Sequence, residues 1–179
     1  MKPQLADTKV NLQVGSGEAD ECLFEYLHAE MVNYVHSMPS SDNNQKDGEE
    51  DLSKLEWMGF GVGYRVIERL TREWPRFKDE LDMIKFICTD FWSSLYQKQM
   101  DNLKTNHHGI YVLQDYEFRL LSKLGSGESN QYLREAPRLL AFTCGLLRGS
   151  LANLGIISEV TAEIFSLPGC KFHVKVQRV

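Results

Sequence analysis

The chain has 179 residues, of which 42% are hydrophobic and 25% are charged, and these values are ordinary for one globular domain. No apolar run reaches the roughly 18 residues that a membrane-spanning helix needs, and the first residues lack the apolar segment of a signal peptide, so we expect a cytoplasmic or nuclear protein. The net charge of -5 arises mainly from one acidic stretch between Ser37 and Asp51, and without a basic excess we expect no nucleic-acid binding.

The N-terminal part of the chain divides into an extension, a helix and a loop. Residues 1–19 have no apolar periodicity, and we expect a disordered extension there. Asp20 is a candidate N-cap for the first helix, which Pro39 closes. The acidic stretch follows as a flexible loop over residues 37–50. We expect residues 20–179 to form one domain.

Two longer helices are predicted next. The second helix extends from about residue 51 to residue 73 and ends before Pro75. Its apolar stripe comprises Leu55, Met58, Val62, Val66 and Leu70. The third helix is predicted from about residue 77 to residue 103. Its apolar residues are spaced four and three apart: Phe77, Leu81, Ile84, Cys88, Phe91 and Leu95.

Beyond residue 103 the pattern changes. "NHHG" predicts a turn, and "IYVLQDYEFRL" predicts two short strands around Gln114 and Asp115. A fourth helix follows, with Pro137 in its first turn and Gly155 as its C-terminal cap. The last two strands form a hairpin around "LPG", and apolar residues alternate on one face of its second strand: Cys170, Phe172, Val174 and Val176. The order ααα-ββ-α-ββ predicts an α+β domain with an antiparallel sheet.

The fourth helix carries two stripes of different size. One is small, with Ala141, Gly145, Gly149 and Ala152, and the other is bulky, with Leu140, Leu147, Leu151 and Leu154. A glycine inside a helix costs about 1 kcal/mol relative to alanine, so these glycines predict a close approach by a neighbouring element. We expect this helix to be packed on both sides, with Arg148 at its edge beside a carboxylate.

No group of residues indicates catalysis. "GFGVGY" has glycines spaced G-x-G-x-G on a helical pattern, whereas a dinucleotide loop needs G-x-G-x-x-G after a strand. Cys170 and His173 are three apart on a strand, so their side chains point to opposite faces and cannot share a metal ion. Plain core packing as thiols is expected for Cys22, Cys88, Cys144 and Cys170. We therefore expect no enzyme activity, no cofactor and no metal.

Arginines spaced 4, 3 and 4 apart form a basic line along the second helix: Arg65, Arg69, Arg72 and Arg76. A solvated face, tempered by Glu68 and Glu73, is the simpler interpretation. The alternative is contact with an acidic partner or with anionic lipid headgroups.

Four stretches together resemble one known family: "LEWMGFGVGYRVIERL", "FICTDFWSSLYQKQMDNLKTNHHGIYVLQD", "AFTCGLLRGSLANLGI" and "LPGCKFHVKV". The sequence resembles the TRAPP small-subunit superfamily, and within it the subunit-six branch, over about residues 22–176. The resemblance implies an α/β plait of four main helices with an antiparallel four-stranded sheet.

The resemblance also implies a function in assembly. Subunits of this branch pair through their first two helices with TRAPP subunit three, and the assembled tethering complex activates Rab GTPases by nucleotide exchange. This traffic runs from the endoplasmic reticulum to the cis-Golgi network and within the Golgi, so the chain is expected to be a non-catalytic scaffold. We expect it to associate with those membranes peripherally, through the complex. A homodimer is possible when the chain is isolated.

The first two helices carry more apolar residues than one core needs, which favours a partner surface. Tyr34, Val35 and Trp57 belong to this excess. The candidate partner-interface residues are Leu23, Phe24, Leu27, Met31, Gly59, Phe60, Gly63 and Tyr64.

An alternative function is a small-ligand or lipid-binding module with an apolar pocket. The subunit-three branch carries an acylated cysteine just after its second helix, with a hydrophobic channel for the acyl chain. Here that region is "TREWPRFKDE", which has no cysteine and has Trp74 instead. This difference argues against acylation of the chain.

Overall fold

The computed structural model describes residues 18–38, 47–106, 108–122, 124 and 131–178. The helices are α1 (Glu18–Ser37), α2 (Asp47–Thr71), α3 (Glu80–Phe86), α4 (Trp92–Tyr96) and α5 (Gln131–Asn153), and the strands are β1 (Asn102–Thr105), β2 (Ile110–Asp115), β3 (Ser158–Ser166) and β4 (Gly169–Val176). A π-helical turn (Ile87–Phe91) joins α3 to α4 in one continuous helix, and a 3-10 turn (Arg119–Leu121) follows β2. The predicted α+β class and the order ααα-ββ-α-ββ are confirmed.

The four strands form one antiparallel sheet in the order β1-β2-β4-β3. In β4 the side chains of Cys170, Phe172 and Val174 are fully buried, as the predicted alternation requires. His173 lies on the other face, where its Nε2 atom is 3.2 Å from a carboxylate oxygen of Glu163. The helices therefore pack on a single face of this part of the sheet.

Helices α2 and α5 meet backbone to backbone. A Cβ atom added at Gly59 would overlap the carbonyl oxygen of Phe142, and one added at Gly149 would overlap that of Phe60. Gly63 and Gly145 are restricted in the same way by the backbone of the opposite helix. The predicted close approach at the small face of α5 is confirmed, and α2 is the element that makes it.

The predicted apolar stripe of α2 is confirmed at Leu55, Met58, Val66 and Leu70, which pack in the core, and is wrong at Val62. Val62 is 39% exposed, whereas Leu55 and Ile67 are buried together with Gly59 and Gly63. The buried face therefore runs through the glycines. Glycine adds almost nothing to an apolar pattern, so the periodicity alone favoured the neighbouring, bulkier residues.

The third helical segment is shorter than its pattern predicts. It ends at Gln97, which has a left-handed backbone with φ of 58°, and Asn102 already begins β1, so the extension of the helix to residue 103 is wrong. The π-helical turn leaves the carbonyl oxygen of Cys88 free to accept the Met100 N–H at 2.9 Å. That hydrogen bond fixes the connection to β1 against the helix.

The first hairpin turns at "NHHG", not at Gln114 and Asp115. The Asn106 Oδ1 atom accepts the N–H groups of His108 and Ile110 at 2.9 and 3.1 Å, which closes the turn. Gln114 and Asp115 are the last residues of β2. The predicted strand pair around them is therefore wrong, and β2 pairs instead with β1 and β4.

Three helices start earlier than predicted, and in α1 and α2 the added first turn includes acidic residues, which a helix N-terminus favours. Helix α1 begins at Glu18, so Asp20 lies inside it and is not the N-cap. Helix α2 begins at Asp47, which shortens the acidic loop. Helix α5 begins six residues before Pro137, which places that proline beyond the first turn. The disordered extension predicted over residues 1–19 is wrong at residues 18 and 19, which begin α1. The rest of that prediction, and the predicted flexibility of residues 39–46, concern positions outside the described residues.

The described thiols match the prediction of core packing. Cys88, Cys144 and Cys170 are free and buried. Burial raises the pKa of Cys88 and Cys144 to about 12, so both are protonated and inert at neutral pH. Gly155, with φ of 88°, follows the end of α5 as the predicted cap.

Candidate partner interface

Large apolar side chains face solvent on α1 and on α2. Those of α1 are spaced 4 and 7 apart, with Met38 directly after the end of the helix, and those of α2 are 7 apart, so each set follows one side of its helix. Trp57 is 76% exposed and Leu27 is 59% exposed. We call this set the α1–α2 surface, and its members are Leu23, Leu27, Tyr34, Met38, Trp57 and Tyr64.

An apolar cleft of about 440 Å³ lies at one end of this surface, where α1 ends and α2 begins. Tyr34, Met38 and Trp57 line it, and its floor includes Val35 and Met58. A large side chain from another protein could fill it. A second open cleft, of about 310 Å³, lies between α2, α5 and β3.

The opposite side of α1 holds the helix on the core. Phe24 lies 6.1 Å from the ring of Tyr96, and His28 lies 5.6 Å from the ring of Phe142. The Glu25 carboxylate accepts a hydrogen bond from Arg119. Helix α1 is therefore anchored on its inner side and displays apolar groups on its outer side.

His28 is a polar group within this anchored side. Its side chain is buried, and its Nε2 atom has no hydrogen-bond partner among the described residues. Burial lowers its pKa to about 4, although a hydrogen bond to the Leu139 backbone opposes that effect. The imidazole is therefore neutral at pH 7 and acts as an aromatic packing group.

The structure divides the predicted interface residues into three groups. Leu23, Leu27 and Tyr64 are exposed and available to a partner. Phe24, Met31 and Phe60 are half-buried, and the first two pack against the main core. Gly59 and Gly63 are buried against α5 of the same chain, so their assignment to the partner interface is wrong. Sequence reasoning recognised a close helix contact there but assigned it to another protein.

The α1–α2 surface also includes Trp57, Tyr34 and Met38, which are not among the candidate interface residues predicted from sequence. The position of Trp57 in the helix could have identified it. Trp57 follows the buried Leu55 by two residues, so its side chain faces away from the core. Met38 lies just after α1, where helical periodicity carries no information.

Arg148 joins α5 to α2 through a charged contact. Its Nη1 atom is 3.8 Å from Glu56 Oε2, and its guanidinium carbon is 5.5 Å from the centre of the Phe60 ring. Burial raises the pKa of the Glu56 carboxyl, and Arg148 opposes this shift. The predicted pairing of Arg148 with a carboxylate at the helix edge is confirmed.

The described residues contain no group of three or more His, Cys, Asp or Glu residues that could hold a metal ion. None of the helices among them is long and apolar enough to cross a membrane.

The family described as transport protein particle (TRAPP) component matches residues 24–177. The chain belongs to this family. It is 55% identical over 161 residues to trafficking protein particle complex subunit 6b of Danio rerio, a match that covers 90% of this chain and 99% of that protein. The identity and the coverage are the same for subunit 6B of Homo sapiens. Subunit 6A of Mus musculus is 52% identical over 160 residues, covering 89% and 99%.

These relatives confirm the resemblance to the subunit-six branch of a vesicle-trafficking complex. The fold is similar to that of a solved structure of trafficking protein particle complex subunit 3 from Naegleria fowleri, which is described as covalently bound to palmitic acid. The TM-score is 0.73, over 90% of this chain and 98% of that chain, at 14% sequence identity. This likeness establishes the α/β fold of the TRAPP component.

Proposed function

We propose that the chain is a non-catalytic scaffold subunit that pairs with TRAPP subunit three through the α1–α2 surface. The assembled complex tethers vesicles and activates a Rab GTPase in traffic between the endoplasmic reticulum and the Golgi. The observation that carries this proposal is the exposure of six large apolar side chains along one helix pair.

Exposed apolar residues are ordinary when they are scattered, but a continuous set marks an interaction surface. Trp and Tyr are enriched among the residues that dominate interface energies, often by 2 kcal/mol or more each. In the α1–α2 surface, Trp57 and Tyr34 line the apolar cleft, and Tyr64 is exposed two turns further along α2. This composition is typical of the centre of a protein–protein interface.

The test is binding of purified subunit three to single charge substitutions of exposed residues. Leu27→Asp and Tyr64→Asp place a carboxylate where an interface excludes water, and we expect each to weaken binding at least tenfold in calorimetry. The matched control is Ile157→Asp. Ile157 is 58% exposed, almost the same as Leu27, but lies between α5 and β3.

Phe24 and Phe60 are also candidate interface residues, but Phe24→Asp and Phe60→Asp would not test the interface cleanly. Phe24 packs on Tyr96, and Phe60 lies beneath Arg148, so an aspartate at either position would disturb the domain itself. Wild-type affinity for both Leu27→Asp and Tyr64→Asp would place the interface elsewhere. Equal losses from Ile157→Asp would show that the effect is not local.

The scaffold role also predicts the behaviour of the isolated chain toward Rab GTPases. We expect no acceleration of nucleotide release by the purified chain at concentrations where the complex is active. Measurable exchange by the chain alone, followed with a fluorescent nucleotide, would contradict a non-catalytic role.

A further inference from the structure

A second surface lies where α2 ends, away from the apolar side just described. Five basic side chains are exposed there: Arg65, Arg69, Arg72, Arg76 and Lys78. Among the described residues none of these five forms an ion pair, in contrast to Lys54, Lys98 and Arg148, which each have a carboxylate partner. Unpaired cations at this density are free to bind an anionic surface.

The local charge differs in sign from that of the whole chain. Between residues 65 and 78 there are five basic residues and two acidic ones, Glu68 and Glu73, whereas the complete chain has a net charge of -5. Arg65 and Arg69 are four apart and share one side of α2, and Arg72 follows directly after the last residue of the helix.

Trp74 lies between Arg72 and Arg76 in the sequence. It belongs to an irregular segment, residues 74–78, that connects α2 to α3, and its side chain is 45% exposed. One side of the indole packs on the Phe86 ring, with centroids 4.6 Å apart. The ring is thus held by the core while nearly half of it remains in solvent.

We propose that this face, which we call the arginine–Trp74 face, binds the surface of an anionic membrane. Guanidinium groups form paired hydrogen bonds with lipid phosphates, and indole rings are enriched at the level of the headgroups. Each Lys or Arg near an anionic bilayer contributes about 1 kcal/mol, so several together provide measurable binding. The tryptophan favours a membrane over an acidic protein, because it offers an apolar group to the interface beside the charges.

The experiment is flotation of the full-length chain with phosphatidylcholine vesicles, with and without phosphatidylserine. We expect binding only to the anionic vesicles and its loss at high salt, since salt screens exposed charges. Arg72→Gln with Arg76→Gln is expected to weaken binding roughly tenfold to thirtyfold. The matched control is Lys104→Gln with Lys175→Gln, which removes two exposed cations from the sheet.

Trp74 provides an independent readout. Its fluorescence is expected to shift to the blue on anionic vesicles, and Trp74→Phe is expected to abolish that shift while keeping a ring on Phe86. Because the basic residues are exposed, neither set of variants should alter the thermal melting of the chain.

Three results would overturn the proposal. Equal binding to neutral vesicles would indicate insertion through the apolar α1–α2 surface instead. Equal losses in the arginine variant and the lysine control would indicate attraction by overall charge. Competition by an acidic peptide without any vesicle binding would assign the face to an acidic protein partner.

Discussion

The two sides of α2 invert the usual distribution of residues between inside and outside. Toward α5 the helix presents Gly59 and Gly63, and the two backbones touch. Toward solvent it presents Trp57 and Tyr64, two of its largest side chains. Size, rather than apolarity alone, decides which side packs internally: the close approach of α5 leaves room only for glycine at positions 59 and 63, and the aromatic rings lie where no described helix comes so near.

This contrast separates two kinds of requirement within one helix. On the glycine side the fold itself requires small residues, because any added atom would meet the α5 backbone, which cannot rotate away. The aromatic side is covered only in part by the described chain, with Trp57 76% and Tyr64 43% exposed, so we expect its apolar character to serve contact with another molecule. Substitutions on the two sides should therefore affect different measurements.

The largest effect is expected from Gly149→Leu. A side chain there meets the Phe60 carbonyl, so α2 and α5 must separate, and we expect a loss of at least about 3 kcal/mol of unfolding free energy or failure to fold. Urea unfolding followed by circular dichroism measures it. A midpoint equal to that of the wild type would mean that the helices do not meet at this residue.

His28 is expected to make stability depend on pH. Its folded pKa of about 4 lies below the ordinary value of 6.5, so only the unfolded chain binds a proton between these values. The contribution is constant above about pH 6.5 and falls as the pH drops toward 4, by about 3 kcal/mol in all.

The pH effect is measured by the difference between wild-type and His28→Gln unfolding free energies across that range, since carboxylates titrate in both proteins. His108→Gln is the control, because that side chain is exposed. A difference between wild type and His28→Gln that does not change with pH would show that His28 is accessible to protons in the folded chain.

Much of the architecture was predictable from sequence, because it depends on periodicity over long segments. The alternation in β4 and the glycine spacing in α5 each predicted a specific packing that is confirmed. The family resemblance predicted the plait. These signals repeat over several turns or residues, so single exceptions do not erase them.

The wrong predictions have a different cause. Each concerns a feature that is determined by a local hydrogen bond or by a residue that adds nothing to a hydrophobic pattern. The helix before β1 ends where Gln97 adopts a left-handed backbone, although its apolar pattern continues. The predicted turn at "NHHG" is confirmed, but the strand pair was predicted on the wrong side of it, because the short β1 before the turn lacks the strong apolar alternation of a buried strand. Gly59 and Gly63 were predicted to allow a close helix contact, but sequence does not say whether that helix belongs to the same chain.

A smaller, opposite effect is expected from Gly61→Ala. Gly61 lies in α2 between the two buried glycines, but a Cβ atom there would have no neighbour within 4 Å. Alanine in a helix is favoured over glycine by roughly 0.5–1 kcal/mol, so this variant should be more stable than the wild type by that amount. Thermal melting measures it. Destabilisation would mean that this part of α2 is also covered.

The smallest effect on stability is expected from Trp57→Ser, although it removes the largest side chain of the α1–α2 surface. At 76% exposure the indole leaves little buried area to lose, so the free energy of unfolding should stay within about 0.5 kcal/mol of wild type. Self-association of the isolated chain, followed by sedimentation velocity, should decrease at the same time, because the apolar surface shrinks. Ile157→Ser, with its similarly exposed apolar side chain beyond α5, is the control and should leave sedimentation unchanged. A large loss of stability in Trp57→Ser would show that the indole packs within its own chain. That result would remove the contrast between the two sides of α2, because both would then serve the fold.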